Sequence, residues 1–544
     1  MELPHSVTPL PIALTHRFPV QSALREWKDA KARLDNIIAS YLAACSSLHT
    51  ALLAHPTHRS FQAPALEESL TTIASELGSL ADNEDALRSA RRTLSELRNE
   101  STNMSPINRL PDDIIAAIFA LAQHGCILKR GGEHAVDSFS AVSRRWREIA
   151  LETEKLWNHI DIELGKSDRC ARFGFTRLML GRTTKNVHLH IVELAPMLQR
   201  NRLKESEIQE VLMVLTPHLN RTAHLDIESY SITSSLTQSL IDAWIRHCSS
   251  GTVRTLNARR THASCTMITP DTEPGHIPFF PGSYENVLRS ISTIRFKDIQ
   301  FDWNSPIYHG LVELRLAFKV AKPSIELSQL TEIFSSSPLL VGVELKGVNV
   351  THNDDSTTLT PINMQYLKNL DLTDIHTTCL PALLSLLTLS TPSARLGIPI
   401  ESYEPEMQLA LEQLLARSTI DTMCCSNKQH TPFPCQPALR SLSYVNTLFL
   451  EGCFIHVAAP HSARSSRPNS RLVLTNCTVT FESLKDLISR YSIQTIHLHT
   501  CRKPDTHTFI NDTLDIQHMI TELIEIYPNL KGWATDGPHL LDIE

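Results

Sequence analysis

A chain of 544 residues is too long for one compact core, so it should divide into several domains or form an elongated repeat array. Its 42% hydrophobic and 20% charged residues suit a folded soluble protein, and a formal charge of -7 disfavours nucleic acid, which needs a clustered basic surface. Twelve cysteines without a C-x-x-C pair read as reduced thiols of an intracellular protein, not a disulfide framework.

Residues 1–23 are expected to be a disordered N-terminus, and "MELPHSVTPLPIALTHRFPV" places prolines where a signal peptide needs an unbroken apolar run, so secretion is not expected. No stretch reaches the roughly 18 apolar residues of a membrane span. A cytoplasmic or nuclear location without membrane contact follows as the expectation.

From Leu24 onward, Leu24, Trp27, Lys31, Leu34, Ile38, Tyr41, Cys45, Leu48 and Leu52 step by three and four, a heptad seam. The seam breaks at "HPTHRSFQAP" and resumes with Leu66, Leu70, Ile73, Leu77, Leu80, Leu87 and Leu94. This pattern predicts a helical hairpin over residues 24–104 whose seams bury each other, with an intermolecular coiled coil as the other arrangement.

Next come "SPINRLPDDIIAAIFALAQHG" from Ser105 and "FSAVSRRWREIALETEKLWNHI" from Phe139, read as two short amphipathic helices. Pro111 suits a first helical position, and Asp112 and Asp113 meet the positive end of the helix dipole. Ile114, Ile118 and Leu121 form one apolar stripe, widened by Ile115, Phe119 and Ala122. Phe139, Val142, Trp146, Ile149 and Ala150 line the second helix, with Ser143, Arg144, Arg145, Arg147 and Glu148 facing away. The pair carries more apolar surface than it can bury on itself.

"LPDDIIAAIF" followed by "AVSRRWREIALETEKLW" resembles an F-box, in particular the F-box-like domains of fungal proteins. Leu110 and Pro111 match its opening, Asp113 its acid, and Ile114 and Ile115 its aliphatic pair. Val142, Trp146 and Arg147 match the closing half, with Ser143 where cysteine is usual, and Leu156 and Trp157 match the trailing Leu-Trp. The polar, glycine-bearing "GCILKRGGEHAVD" departs from the pattern. The resemblance covers residues 105–160. It implies docking on a Skp-family adaptor, and through it on a cullin, with Leu110, Pro111, Ile114, Ile118, Val142 and Trp146 as the adaptor-binding anchors.

From residue 161 to 544 a phrase of type apolar-x-apolar recurs, as in "HIDIEL", "NVHLHIV", "TAHLDIE", "TVRTLNA", "STIRFKD", "VELRLAF", "VGVELKG", "LKNLDLT", "VNTLFLE", "SRLVLTN" and "QTIHLHT". Aligned positions are Leu189, Leu225, Leu256, Phe296, Leu316, Leu345, Leu372, Leu450, Leu474 and Leu498. Helical phrases such as "SLTQSLIDAWIRHC", "LSQLTEIFSSSPLL" and "FESLKDLISRYS" lie between them. Steps of roughly 20 to 30 residues fall in the leucine-rich-repeat range. The fold class expected is α/β: a helical hairpin, a small F-box-like domain, then an irregular leucine-rich-repeat solenoid with parallel strands inside and helices outside. "SCTMITPDTEPGHIPFFPGS" and "TPSARLGIPIESYEPEM" interrupt the pattern.

No phosphate loop, dinucleotide turn, nucleophile elbow or H-E-x-x-H motif is present. The pairs His188/His190 and His497/His499 could each face one side of a strand, but neither has Cys or carboxylate partners at ligand spacing nearby in sequence. No catalysis, metal or cofactor is therefore expected. The reading is a substrate-recruiting subunit of a Skp–cullin–F-box ubiquitin ligase that holds a substrate protein on its repeats. The alternative is a non-catalytic coiled-coil and repeat scaffold in which the F-box-like segment merely caps the first repeat.

Overall fold

The computed structural model describes residues 17–54, 63–100, 106–127, 135–164, 169–183, 186–193, 205–230, 235–249, 251–261, 265–268, 281–319, 322–352, 360–375, 377–399, 405–427, 436–455, 470–501 and 513–535. The chain separates into two units, Met1–Ser105 and Pro106–Glu544. Among the described residues no helix is long and apolar enough to cross a membrane.

The first unit contains α1 (Arg17–Ala54) and α2 (Ala63–Glu100). Helix α1 begins inside the stretch expected to be disordered, and residues 1–16 lie outside the described residues, as does most of the break at 55–62. The Tyr41 phenol is held above its ordinary value, first by a hydrogen bond with Cys45 and in smaller part by the Glu76 carboxylate of α2. The seams, however, do not bury each other. Leu24, Trp27, Leu34, Ile38, Tyr41 and Leu48 stay exposed, as do Leu77, Leu87 and Leu94, while Ile73 and Leu80 are half-buried. The reason lies in α2: beyond Leu80 the intervening seam positions are the charged Glu84 and Arg91, so its stripe is too thin to cover α1.

The second unit opens with three helices, α3 (Asp112–Ile127), α4 (Ala135–Ser140) and α5 (Arg144–Glu152). The segment from Phe139, expected as one helix, is broken because Ser143 adopts extended backbone and caps a new helix, its Oγ accepting from Trp146 N at 3.2 Å. Residues 128–134, most of the departing loop, lie outside the described residues.

A large parallel sheet follows: β1 His159–Leu164, β2 Val187–Glu193, β3 Thr222–Ser229, β4 Thr255–Arg260, β5 Thr293–Lys297, β6 Glu313–Ala317 and β7 Gly342–Lys346. It continues with β8 Asn369–Asp374, β9 Ala394–Pro399, β10 Ile420–Ser426, β11 Thr447–Glu451, β12 Arg471–Thr475, β13 Thr495–His499 and β14 Lys531–Thr535. The 14 strands lie side by side in chain order. Each neighbour is reached by a crossover that often carries a helix, as parallel pairing requires. All eleven expected strand phrases are strands, and "TPSARLGIPIESYEPEM", expected as an interruption, supplies β9 and the start of the helix Pro405–Arg417. The described part of "SCTMITPDTEPGHIPFFPGS" includes a short strand, Thr266–Ile268, paired in parallel with Ile299–Phe301 beside the main sheet.

Alternation along each strand sends one set of side chains into the core. One cross-strand row runs Ile160, Leu189, Leu225, Leu256, Ile294, Leu314, Val343, Leu370, Leu396, Met423, Leu448, Leu472 and Ile496. A second row holds Ile162, Ile191, Ile227, Ala258, Phe296, Leu316 and Leu345, then Ile398, Cys425, Leu450, Leu474 and Leu498. The expected alignment therefore slipped by two residues: Leu256 faces Ile294, not Phe296. A slip of two keeps the side chain on the same face, so every aligned position is still buried. Helices such as Leu236–His247 cover this face, where the buried Trp244 donates Nε1–H to Thr222 O at 3.0 Å.

Several strands end in a left-handed residue: Asp298, Gly347, Gly452, Asn476 and Thr500, with φ between 48° and 68°. At Gly347 a Cβ would collide with the Phe318 backbone carbonyl. After three of these turns come Cys453, Cys477 and Cys501, spaced every 24 residues. All three are buried; Cys477 and Cys501 donate S–H to the carbonyls of Leu450 and Leu474, each at 3.3 Å, tying consecutive strands together.

Candidate functional site

Helix α3 begins one residue later than the prolyl position expected, at Asp112, and the Pro111 carbonyl accepts from Ile115 N at 3.1 Å. The helix divides its apolar residues sharply. Ile115 and Phe119 are 0% and 1% exposed, whereas Ile114, Ile118 and Leu121 are 45%, 38% and 76% exposed. The i, i+4, i+7 spacing puts these last three on one face. Val142, in the turn between α4 and α5, is 39% exposed. Pro111 is exposed as well.

The other two residues expected as anchors lie differently. Leu110 and Trp146 are half-buried and pack on the unit's own core. Trp146 meets Phe119 edge-on, with centroids 4.9 Å apart, and Phe119 stacks on Phe139 at 4.3 Å. Trp146 is thus divided between holding the fold and facing out. Behind this layer Gln123 Nε2 donates to Leu156 O at 2.8 Å, and Trp157 Nε1 to Ala150 O at 2.9 Å. Leu156 and Trp157 are buried, and their chain runs straight into β1.

Two residues expected to face away do structural work. Ser143 is the buried cap of α5. Arg145 reaches back to the Leu-Pro turn: Nη1 donates to Asn108 O at 2.6 Å, Nη2 to Leu110 O at 2.7 Å, and Nε to Asp112 Oδ1 at 2.9 Å. It pins the turn that presents Pro111 and the first turn of α3.

The outward face of the sheet is polar. On β1–β3 the register stacks His159, His188 and His224 in one row, and Asp161, His190 and Asp226 in the next. His190 Nδ1 lies 2.6 Å from Asp161 Oδ1, and His159 Nε2 lies 3.2 Å from the same oxygen. His159 Nδ1 and His188 Nδ1 are 3.0 Å apart, and His188 Nε2 is 2.8 Å from Asp226 Oδ2. The His188/His190 pair therefore does have carboxylate partners, supplied by neighbouring strands and not by nearby sequence. Burial raises the Asp161 carboxyl, but its hydrogen bonds to His159 and His190 outweigh this and hold it far below the carboxylate range. For His190, burial works downward, and the bond to Asp161 more than offsets it, leaving the imidazole above its ordinary value.

The second pair is the reverse case. Arg471 Nη2 sits 2.9 Å from His497 Nε2, and burial together with that charge pushes His497 down to about 4. His499 is buried. On the middle strands charges of both signs are close: Arg295 to Glu313 at 2.9 Å, Arg259 to Glu228 at 3.5 Å, and Lys346 to Asp371 at 3.5 Å.

Residues 107–163 match the F-box-like family model, so an F-box-like domain occupies that stretch. The match ends within β1, so the domain runs without a break into the sheet. No curated protein matches the chain. Sequence reasoning missed Arg145, whose role depends on a contact 35 residues back to Leu110. It also missed the His159–Asp161 partners, although aligning "HIDIEL", "HLHI" and "HLDI" strand on strand would have stacked them.

Proposed function

We propose that this chain is a substrate-recruiting F-box subunit of a Skp–cullin–F-box type ubiquitin ligase. The observation that carries the reading is the split of α3 within the F-box-like domain, where Ile114, Ile118 and Leu121 stay exposed over a completed core of Ile115 and Phe119. A Skp-family adaptor covers that face together with Pro111 and Val142, and links the chain to a cullin. Each side chain so covered contributes roughly 1.5–3 kcal/mol in gross burial. The net is smaller once association entropy is subtracted.

The sheet then holds a substrate protein, as a leucine-rich-repeat array of the kind that L-x-L-x-x-C at 24-residue spacing supports. Its polar face interleaves both charge signs, which suits a protein partner better than a phosphate backbone. The chain performs no chemistry; a fixed distance between substrate and the ubiquitin-charged enzyme accelerates transfer by proximity. The reading places it in the cytosol or nucleus.

One observation favours the scaffold reading instead. Leu156 and Trp157 are buried and lead directly into the edge strand β1, as a cap on the sheet would be. Titrating the purified chain with a Skp-family adaptor separates the two. Saturable binding that is lost in Ile118→Asp with unchanged unfolding supports the ligase subunit, and absence of binding leaves the cap.

A further inference from the structure

We propose that His159, Asp161 and His190 form a binding site for a divalent transition-metal ion, with zinc the ion that fits best. Their donor atoms, two imidazole nitrogens and one carboxylate oxygen, all lie within 4.8 Å of one another. They sit on rigid paired strands, with Asp161 directly opposite His190 in the register. A tetrahedral ion with ligands near 2.0–2.1 Å spaces its donors by about 3.3 Å. The present contacts of 2.6 and 3.2 Å would open by less than an ångström to admit it.

The surroundings prepare the ligands. His188 Nε2 donates to Asp226 Oδ2 at 2.8 Å, which leaves His188 Nδ1 free to accept. That nitrogen faces His159 Nδ1 at 3.0 Å and can accept a proton from it, the tautomer in which His159 Nε2 gives up its hydrogen bond to Asp161 and turns a lone pair to an incoming ion. The chain carboxylate–imidazole–imidazole–metal is an extended form of the carboxylate–histidine support common behind bound metals.

The donor set selects the ion. Two imidazoles and one carboxylate suit zinc, cobalt or ferrous iron, whereas calcium and magnesium want shells made of oxygen. His159 is buried, while Asp161 and His190 are half-buried and open to solvent, so an ion can enter and a fourth ligand can be water or a donor from a bound protein. The ion would also clamp β1, the sheet's edge, to β2. At the other end of the sheet, the Arg471 guanidinium beside His497 repels a cation. Among the described residues His159, Asp161 and His190 are the grouping with ligand geometry.

The test uses the untagged full-length chain, stripped with chelator and titrated with zinc alone by calorimetry, with cobalt absorption as a second readout of nitrogen–oxygen coordination. One ion per chain is expected, with affinity reduced at least tenfold in Asp161→Asn and about 10–100-fold in His188→Ala. His497→Ala should bind as the wild type does, and circular dichroism should show the variants folded. Absence of stoichiometric binding by the wild type, or unchanged binding in folded Asp161→Asn, overturns the site. Adaptor docking is measured separately and does not depend on this result.

Discussion

Helix α3 and the sheet treat apolar residues in opposite ways. In the sheet, every aligned leucine from Leu189 to Leu498 is buried, and even a two-residue slip in alignment leaves the same face inside. In α3, Ile114 is exposed beside the fully buried Ile115. A fold that closes its own core so thoroughly has no internal use for Ile114, Ile118 and Leu121. The contrast teaches that burial, not hydrophobicity, separates residues that hold the molecule from residues left on its surface.

The strongest way to break this comparison is to swap the two faces. Phe119→Ala removes a buried ring and should cost about 3–5 kcal/mol of stability by denaturant unfolding. Ile118→Asp, on the other face, should leave stability within about 0.5 kcal/mol yet weaken adaptor binding by about 2 kcal/mol or more. Trp146, which touches both, sharpens the boundary: Trp146→Ala should lower stability and adaptor affinity together. A Trp146→Ala variant that changed affinity alone would show that its contact with Phe119 matters little.

Next in size is the clamp. Arg145→Ala should destabilise the Leu-Pro turn by about 1.5 kcal/mol, as the loss of charge-assisted hydrogen bonds does, and Ser143→Ala should cost about 1 kcal/mol as a lost helix cap. Thermal unfolding measures both.

The smallest effects compare the two ends of the sheet's polar face. His497 titrates near 4 when folded against an ordinary value of 6.5, so the unfolded chain binds the proton first. Its contribution is present above about 6.5 and is lost as pH falls toward 4. His190, raised above 6.5, behaves oppositely: its contribution is full below that value and is lost as pH rises through the raised one. Unfolding of chelated His497→Asn and His190→Asn proteins across pH should flatten the curve on these opposite sides.

Much of the sheet was legible in the sequence because apolar alternation with leucine is a strong signal. Strands β9, β10 and β14 were not: Pro392, Gly397 and Pro399 break up the signal around Leu396 and Ile398 of β9, Met423 and Cys425 fill the core positions of β10, and β14 has a glycine in its row. At β14, Gly532 stands in the first row, and Ile520 of the helix Thr513–Ile526 fills its place; a Cβ there would lie 2.7 Å from the Ile520 methyl. In the F-box-like segment the motif residues were legible, but not their division. A helical stripe does not say which edge meets the core, because Phe139, Trp146 and the trailing Leu156 decide that from α4, α5 and beyond. The His–Asp cluster was invisible for a related reason. Its contacts between strands join residues 29 to 38 apart in sequence and arise only through strand register.

The most direct test of the central claim is the affinity of a purified Skp-family adaptor for the wild type and for Ile114→Asp/Ile118→Asp, with unfolding of each followed in parallel. The account predicts saturable binding by the wild type, loss of it in the double variant, and matching unfolding curves. Equal binding by both proteins, or none by the wild type, would contradict it.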